Sequence, residues 1–266
     1  MSTDMMRAEI WLQETLGTQQ GIEELASRMG YSSSQIRRRF RSSFGLSPGT
    51  YRDRLRLEWA ARLLIHTPKE IRHVAAVCGY QNHSAFSRAF QRHFGQTPRH
   101  YRQSRRLHLN RQRRDLSPFS YRIRELPARC AVLTRLYAGF RVLDDLRMWQ
   151  RHVHDAGALP EQLASASTIA ILHDQPLASE LPRLDLGVQL PAGSGDSLAL
   201  PPTFRLQQLP AHPYACLTLE HRDQLRPALL YMACQGMAPD GRSLSGEAPQ
   251  LLKRHDALEL RVPLYR

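Results

Sequence analysis

The sequence is short of lysine. Of its 37 basic residues only Lys69 and Lys253 are lysines, and the rest are arginines. It lacks any run approaching the roughly 18 apolar residues that a membrane span needs. Met1 to Glu9 carries Asp4 and Glu9 and no apolar stretch before a small-residue cleavage site, so no secretory signal and a cytoplasmic, nucleoid-associated location are expected. Cys78, Cys130, Cys216 and Cys234 form no C-x-x-C pair, so neither a zinc cluster nor a disulfide framework is expected, and they read as small buried hydrophobes. His152-x-His154 and the other histidines lack the i, i+4 spacing with a third ligand that a helical metal site shows, so no metal or other cofactor is expected. There is no G-x-S-x-G, no P-loop and no strong paired-carboxylate motif, so an enzyme is not expected.

What is present is positive charge on one half of the chain. The 266 residues carry a formal net charge of +13. Residues 1–117 hold 21 basic and nine acidic residues, whereas residues 118–266 hold 16 and 15. An excess confined to one segment implies a polyanionic partner for that segment.

That segment contains a repeat. Ile22, Ala26, Gly30 and Tyr31 match Ile71, Ala75, Gly79 and Tyr80 at an offset of 49. After a one-residue insertion, Ser34, Arg38, Phe40, Phe44, Gly45, Pro48, Tyr51 and Arg52 match Ser84, Arg88, Phe90, Phe94, Gly95, Pro98, Tyr101 and Arg102. Each copy reads as helix, tight turn, helix. Ile22, Leu25, Ala26 and Met29 form an apolar stripe that Gly30 terminates. Ser32 or Ser33 caps the next helix, which buries Ile36, Phe40 and Phe44 and shows Ser34, Arg37, Arg38 and Arg41 outward. In the second copy Ile71, Val74, Ala75 and Cys78 precede Gly79, Asn82 caps, Phe86, Phe90 and Phe94 are core, and His83, Ser84, Ser87 and Arg88 face outward. Tyr51 to Ile65, free of Gly and Pro, predicts a rod of about 15 residues, or about 22 Å, between the copies. With a leading helix near Arg7 to Leu16, seven helices are expected to fill residues 7–106.

The expected organisation is an N-terminal all-α domain over 1–106, a linker over 107–118, and a C-terminal α+β domain over 119–266. In the last, Tyr121–Leu136 and Phe204–Leu219 alternate as strands do, and each contains Leu-Pro-Ala. A helical pattern follows each, at Val142–Val153 and Leu225–Ala233. Thr168–Leu172, Arg183–Leu190 and Leu258–Leu264 read as further strands. Two strand-helix-strand units with antiparallel sheet are expected.

A helix-turn-helix puts its second helix in the major groove, where Arg reads guanine and Ser smaller features. Two units on one rod imply two successive grooves and a bipartite site. GYSSSQIRRRFRSSFGLSPGTY and GYQNHSAFSRAFQRHFGQTPRHYR resemble the AraC family of bacterial transcription regulators over about residues 7–106. The resemblance implies base contacts from Ser34, Arg37 and Arg38 and from His83, Ser84, Ser87 and Arg88. Ser34 stands where a larger side chain is common in the family. Phosphate contacts are expected from Arg39, Arg41, Arg52, Arg92 and Arg102. Promoter DNA and RNA polymerase are the implied partners of a monomer or weak dimer acting as an activator.

From Ser120 on, Leu126-Pro127-Ala128, Tyr137-Ala138-Gly139, Leu209-Pro210-Ala211 before Tyr214-Ala215, and the closing Leu258–Pro263 resemble a GyrI-like effector-binding domain. That resemblance implies a cleft for hydrophobic, often cationic, small molecules with a buried glutamate. Here Leu252 stands at the glutamate's expected place and Arg254 at a tyrosine's, which favours a neutral or anionic ligand, or none. Tyr137, Phe140, Trp149, Tyr214 and Tyr231 are candidate cleft aromatics, and ordinary core is the other reading of each. Glu220 is the remaining candidate acid, and an exposed strand-end glutamate is its other reading. The alternative function is a small-molecule sequestering or hydrolytic protein tethered to DNA. A sequence-indifferent architectural binder is a third reading.

Overall fold

The computed structural model describes residues 2–113, 116, 118–137, 163, 166–173, 183–194, 198–235, 241–254 and 257–265. The chain divides into two compact units, Met1–Arg106 and Leu107–Arg266.

The first unit is helical: α1 (Thr3–Glu14), α2 (Ile22–Met29), α3 (Ser33–Phe44), α4 (Pro48–His66), α5 (Ile71–Val77), α6 (His83–Phe94) and α7 (Pro98–Gln112). The helices begin where the chain offers caps. Ser2 accepts from the Met5 amide, which starts α1 earlier than the apolar pattern alone suggests. Ser32 and Gln35 form a capping box on α3, and Asn82 accepts from the Ser84 and Ala85 amides on α6. Ser47 caps α4 and Pro48 occupies its first turn, so the rod has 19 residues and a length of about 28 Å. The last helix runs to Gln112, well into the stretch read as a linker. No glycine or proline interrupts the chain between Pro98 and Pro118, so nothing breaks the helix near residue 106.

The repeat is repeated packing. Ile36, Phe40, Phe86 and Phe90 are buried, and Phe40 meets Tyr51 edge-on at 5.3 Å just as Phe90 meets Tyr101 at 5.2 Å.

The second unit carries one eight-stranded sheet. Its strands are β1 (Arg122–Leu126), β2 (Arg129–Leu136), β3 (Ser167–Leu172), β4 (Leu184–Pro191), β5 (Phe204–Leu209), β6 (His212–Leu219), β7 (Gln250–Arg254) and β8 (Ala257–Pro263). Helix α8 (Leu225–Gln235) follows β6. The order is β1-β6-β8-β7-β3-β4-β2-β5, antiparallel at every pairing. Exchanging each strand with the one four later reproduces this order from the opposite edge, and the registers agree. Leu136 faces Leu184 and Leu219 faces Leu258, while Ile169–Leu252 and Ile171–Gln250 flank the centre of β3·β7. The helical pattern at Val142–Val153 lies outside the described residues.

One sheet face packs on α8: Leu186, Leu217, Leu219, Leu251 and Leu260 bury Leu225, Ala228, Leu229 and Met232. The other face is concave. Arg129 on β2 lies 5.0 Å over the Tyr214 ring on β6. Four strands separate β2 from β6, and a flat sheet would hold them about 24 Å apart, so the sheet curls into a half-barrel.

Candidate nucleic-acid interface

Helices α3 and α6 present the outward residues that the sequence assigns to base reading. Ser34, Arg37, Arg38, His83, Ser84 and Arg88 are exposed, and Ser87 is half-buried. Arg38 and Arg88 occupy the same place in the two copies, six residues beyond their N-caps. Neither forms a hydrogen bond or ion pair among the described residues. Arg37 lies 3.8 Å from Glu23, an exposed pair that solvent screens and a competing acceptor can displace. Ser34 shares a 3.0 Å hydroxyl bond with the capping Ser32, close to the amino end of α3.

The arginines assigned to phosphates divide into classes. Arg41 is exposed on α3. Arg39 donates to the Tyr31 hydroxyl at 2.9 Å and stacks over its ring, while that hydroxyl donates to Asp4 at 2.7 Å. This carboxylate contact raises the Tyr31 pKa. Arg92 is exposed, and its charge acts on Asp53 and Tyr80. Asp4–Tyr31 and Asp53–Tyr80 are matching pairs in the two copies.

Arg52 and Arg102 are engaged elsewhere. Arg52 donates to the Gln20 carbonyl and to Thr15 Oγ1, and its guanidinium lies 5.2 Å from the Trp11 ring. Arg102 donates to the Leu64 carbonyl at 3.0 Å and to the Lys69 carbonyl. One turn further on, Arg56 donates to Leu16 O and Thr18 O, both at 2.8 Å. Arg106 does the same to Ile65 O at 3.0 Å and Thr67 O at 2.5 Å. The acceptors correspond at the 49-residue offset of the repeat. Each copy thus contains a pair of arginines, i and i+4, that serves acceptors at and just beyond the C-terminal end of the preceding helix, with Thr15 Oγ1 in the first copy where Leu64 O stands in the second. Burial lowers the pKa of Arg52, Arg102 and Arg106, in keeping with guanidinia turned inward. Arg56 and Arg106 are absent from the sequence reading. Their signal was the continuation of the repeat by four residues past Tyr51-Arg52 and Tyr101-Arg102.

Residues 25–104 match the family model described as a helix-turn-helix domain. The N-terminal unit contains a helix-turn-helix domain. This domain is 36% identical over 95 residues to the HTH-type transcriptional activator RhaS of Escherichia fergusonii, covering 36% of this chain and 34% of the relative. It is 36% identical over 81 residues to the HTH-type transcriptional regulator MtrA of Neisseria gonorrhoeae, covering 30% and 27%. The chain therefore spans about a third of the length of the curated relatives it matches. The solved DNA-binding domain of AdpA, a global transcriptional factor in complex with a target DNA, is 32% identical, with 40% of this chain and 96% of that chain covered and a TM-score of 0.39. Among the described residues no helix is long and apolar enough to cross a membrane.

Beyond the helix-turn-helix domain, the described residues assigned to a ligand cleft, Tyr137, Tyr214, Glu220 and Tyr231, do not converge. Phe140 and Trp149 lie outside the described residues. Tyr214 faces the concave side, where Gln250 Nε2 donates to its hydroxyl at 3.0 Å, and burial raises its pKa. Tyr231 packs on the opposite face, with α8 and Phe119. Tyr137 follows β2 and is half-buried, and Glu220 is exposed beyond β6. Leu252 is buried on the concave face among Ala131, Leu133, Ile169, Ile171 and Leu209. One end of that face carries a buried charge cluster absent from the sequence reading. Asp185 accepts from Arg135 at 2.5 and 3.0 Å and from His173 and Arg205 at 2.7 Å each. The Arg135 and Arg205 guanidinia, with the His173 hydrogen bond, hold the Asp185 carboxyl well below its ordinary pKa against the opposing effect of burial. Burial pushes His173 down to about 4. A cleft of about 500 Å³ opens instead between the two Leu-Pro-Ala segments, lined by Glu125, Leu126, Pro127, Ala211, Pro213 and Arg242.

Proposed function

We propose that the protein is a bacterial DNA-binding transcription regulator of the AraC family. In this reading α3 and α6 enter successive major grooves on one face of the duplex. The observation that carries it is the pair of equivalent exposed arginines, Arg38 and Arg88, each six residues beyond the N-cap of its helix in the basic half of the chain. Arg37, Ser34, His83, Ser84 and Ser87 complete the base-reading set, and Arg39, Arg41 and Arg92 supply phosphate contacts. Arg52 and Arg102 leave that set, because their donors already serve the Gln20 carbonyl and Thr15 Oγ1 in one case and the Leu64 and Lys69 carbonyls in the other. The rod of about 28 Å is shorter than the 34 Å or so between successive grooves, so the reading includes some bending of the DNA.

The C-terminal unit, in this reading, is a GyrI-like sensor built by duplication, which the two-fold strand order and register support. Leu252 supplies no charge, and the acid paired with it across the sheet, Glu259, already accepts from Arg124 and Arg261, which favours a neutral or anionic effector over a desolvated cation. An activator working through RNA polymerase in the cytoplasm, as a monomer or weak dimer, is the role that fits. Binding-site selection with the full chain tests the DNA reading. A motif of two separated half-sites, one of which relaxes in Arg38→Ala and the other in Arg88→Ala, supports it. Selection of unrelated sequences at every salt concentration refutes it.

A further inference from the structure

The α1–α2 connection does more than end a helix. Arg56 on α4 holds its Leu16 and Thr18 carbonyls, and the other side of the same connection rests on the turn between α5 and α6. Gln19 Nε2 donates to the Gly79 carbonyl at 3.3 Å. A Cβ added to Gly79 would lie 2.6 Å from Leu16 O and 2.9 Å from Arg56 Nη2, and one added to Gly17 would lie 3.1 Å from Val77 O. The corresponding glycine of the first copy, Gly30, shares the positive φ, 70° against 83°, but has nothing within 4 Å of its added Cβ. Both glycines take a positive φ, and only Gly79 is wedged against the other copy.

We infer that this junction of Leu16, Gln19, Arg56 and Gly79 fixes the separation of α3 from α6 and thereby sets which half-site spacing the protein accepts. Gly79 and Arg56 are positioning residues: they touch no base and act through the placement of the two reading helices. The inference rests on the two-groove reading above. Interdigitated packing transmits small displacements, so a methyl group at Gly79 must separate the α5–α6 turn from Leu16 and Arg56 and tilt one unit against the other.

The test uses Gly79→Ala, with Gly30→Ala as its matched control, because both introduce the same positive-φ strain and only one adds the collision. Gln19→Ala, which removes the hydrogen bond to the Gly79 carbonyl without adding a collision, is the milder variant should Gly79→Ala unfold. Spin labels at Ser42→Cys on α3 and Gln91→Cys on α6 report the helix separation in the full chain, because the native cysteines are buried. The expected result is one narrow distance in the parent and Gly30→Ala, and a shifted or broadened distribution in Gly79→Ala and Gln19→Ala. On sites whose half-sites are stepped apart one base pair at a time, Gly79→Ala should bind the parent's best spacing about tenfold more weakly and lose its spacing optimum. Its affinity for a single half-site should stay within about twofold of the parent's. An unchanged distance or spacing profile in the junction variants, or equal changes in Gly30→Ala, overturns the junction alone. A parent protein without any bipartite preference overturns the two-groove reading and the spacing role with it.

Discussion

At the residue scale, identical arginines take different roles according to where their donors point. Arg38 and Arg88 are exposed on α3 and α6, Arg41 is exposed on α3, and Arg52 and Arg102 fold back onto acceptors at and just beyond the end of the helix preceding each copy. Three outcomes separate them. Arg88→Ala should cost about 1–3 kcal/mol on the preferred site and relax selectivity at one half-site, whereas equal loss on every sequence would contradict a base-reading role. Arg41→Ala should lower the slope of log affinity against log salt by about 1, as loss of one phosphate contact does. Arg52→Ala and Arg102→Ala should leave that slope unchanged and instead lower stability, read from denaturant midpoints, by about 1.5–3 kcal/mol in Arg102→Ala, where a charged donor to the carbonyl of buried Leu64 is lost, and by less in Arg52→Ala, whose acceptor Gln20 is exposed. A slope change in Arg52→Ala would return it to the phosphate set.

Caps and periodic aromatics made the helix-turn-helix elements legible in the sequence. Gly30 and Gly79 mark turns, Ser32 and Asn82 mark helix starts, and phenylalanines four apart mark a buried stripe; each is a local rule. The clamps were not legible in that way, since Arg56 reaches carbonyls about 40 positions away and no local pattern announces it. In the C-terminal unit, the sequence located the segments of seven of the eight strands, four of them inside the two long alternating runs that the Pro127 and Pro210 turns divide. It did not reveal the pairing across the half-barrel that places Tyr214 and Tyr231 on opposite faces. β7 also escaped, because QLLKR is too short to show a period. Buried histidines at element ends give a pH dependence. Burial, helped by Arg62 and Arg106, lowers His66 at the end of α4 from 6.5 to about 4, and burial lowers His173 beyond β3 similarly. The unfolded chain then binds more protons than the folded one between those values, so stability is full above about pH 6.5 and falls as the pH approaches 4. For His66 the shift corresponds to a loss on the order of 3 kcal/mol across that window. His66→Gln should flatten the pH dependence of urea unfolding of the full chain, and an unaltered dependence would show that His66 is not its source.

At the scale of the whole molecule, two units of different charge are joined in one chain. The basic helical unit has the surface that a polyanion requires, and the near-neutral unit places a two-fold half-barrel beside it in sequence. Affinity for DNA should therefore fall steeply with salt, while any effector acts through the half-barrel. The most direct test of the central claim is a hydroxyl-radical footprint of the full chain on its selected site. The account predicts two protected patches on one face of the duplex, about one helical turn apart, with Arg38→Ala and Arg88→Ala each weakening a different patch. A single continuous patch, or two patches that respond alike to both substitutions, would contradict it.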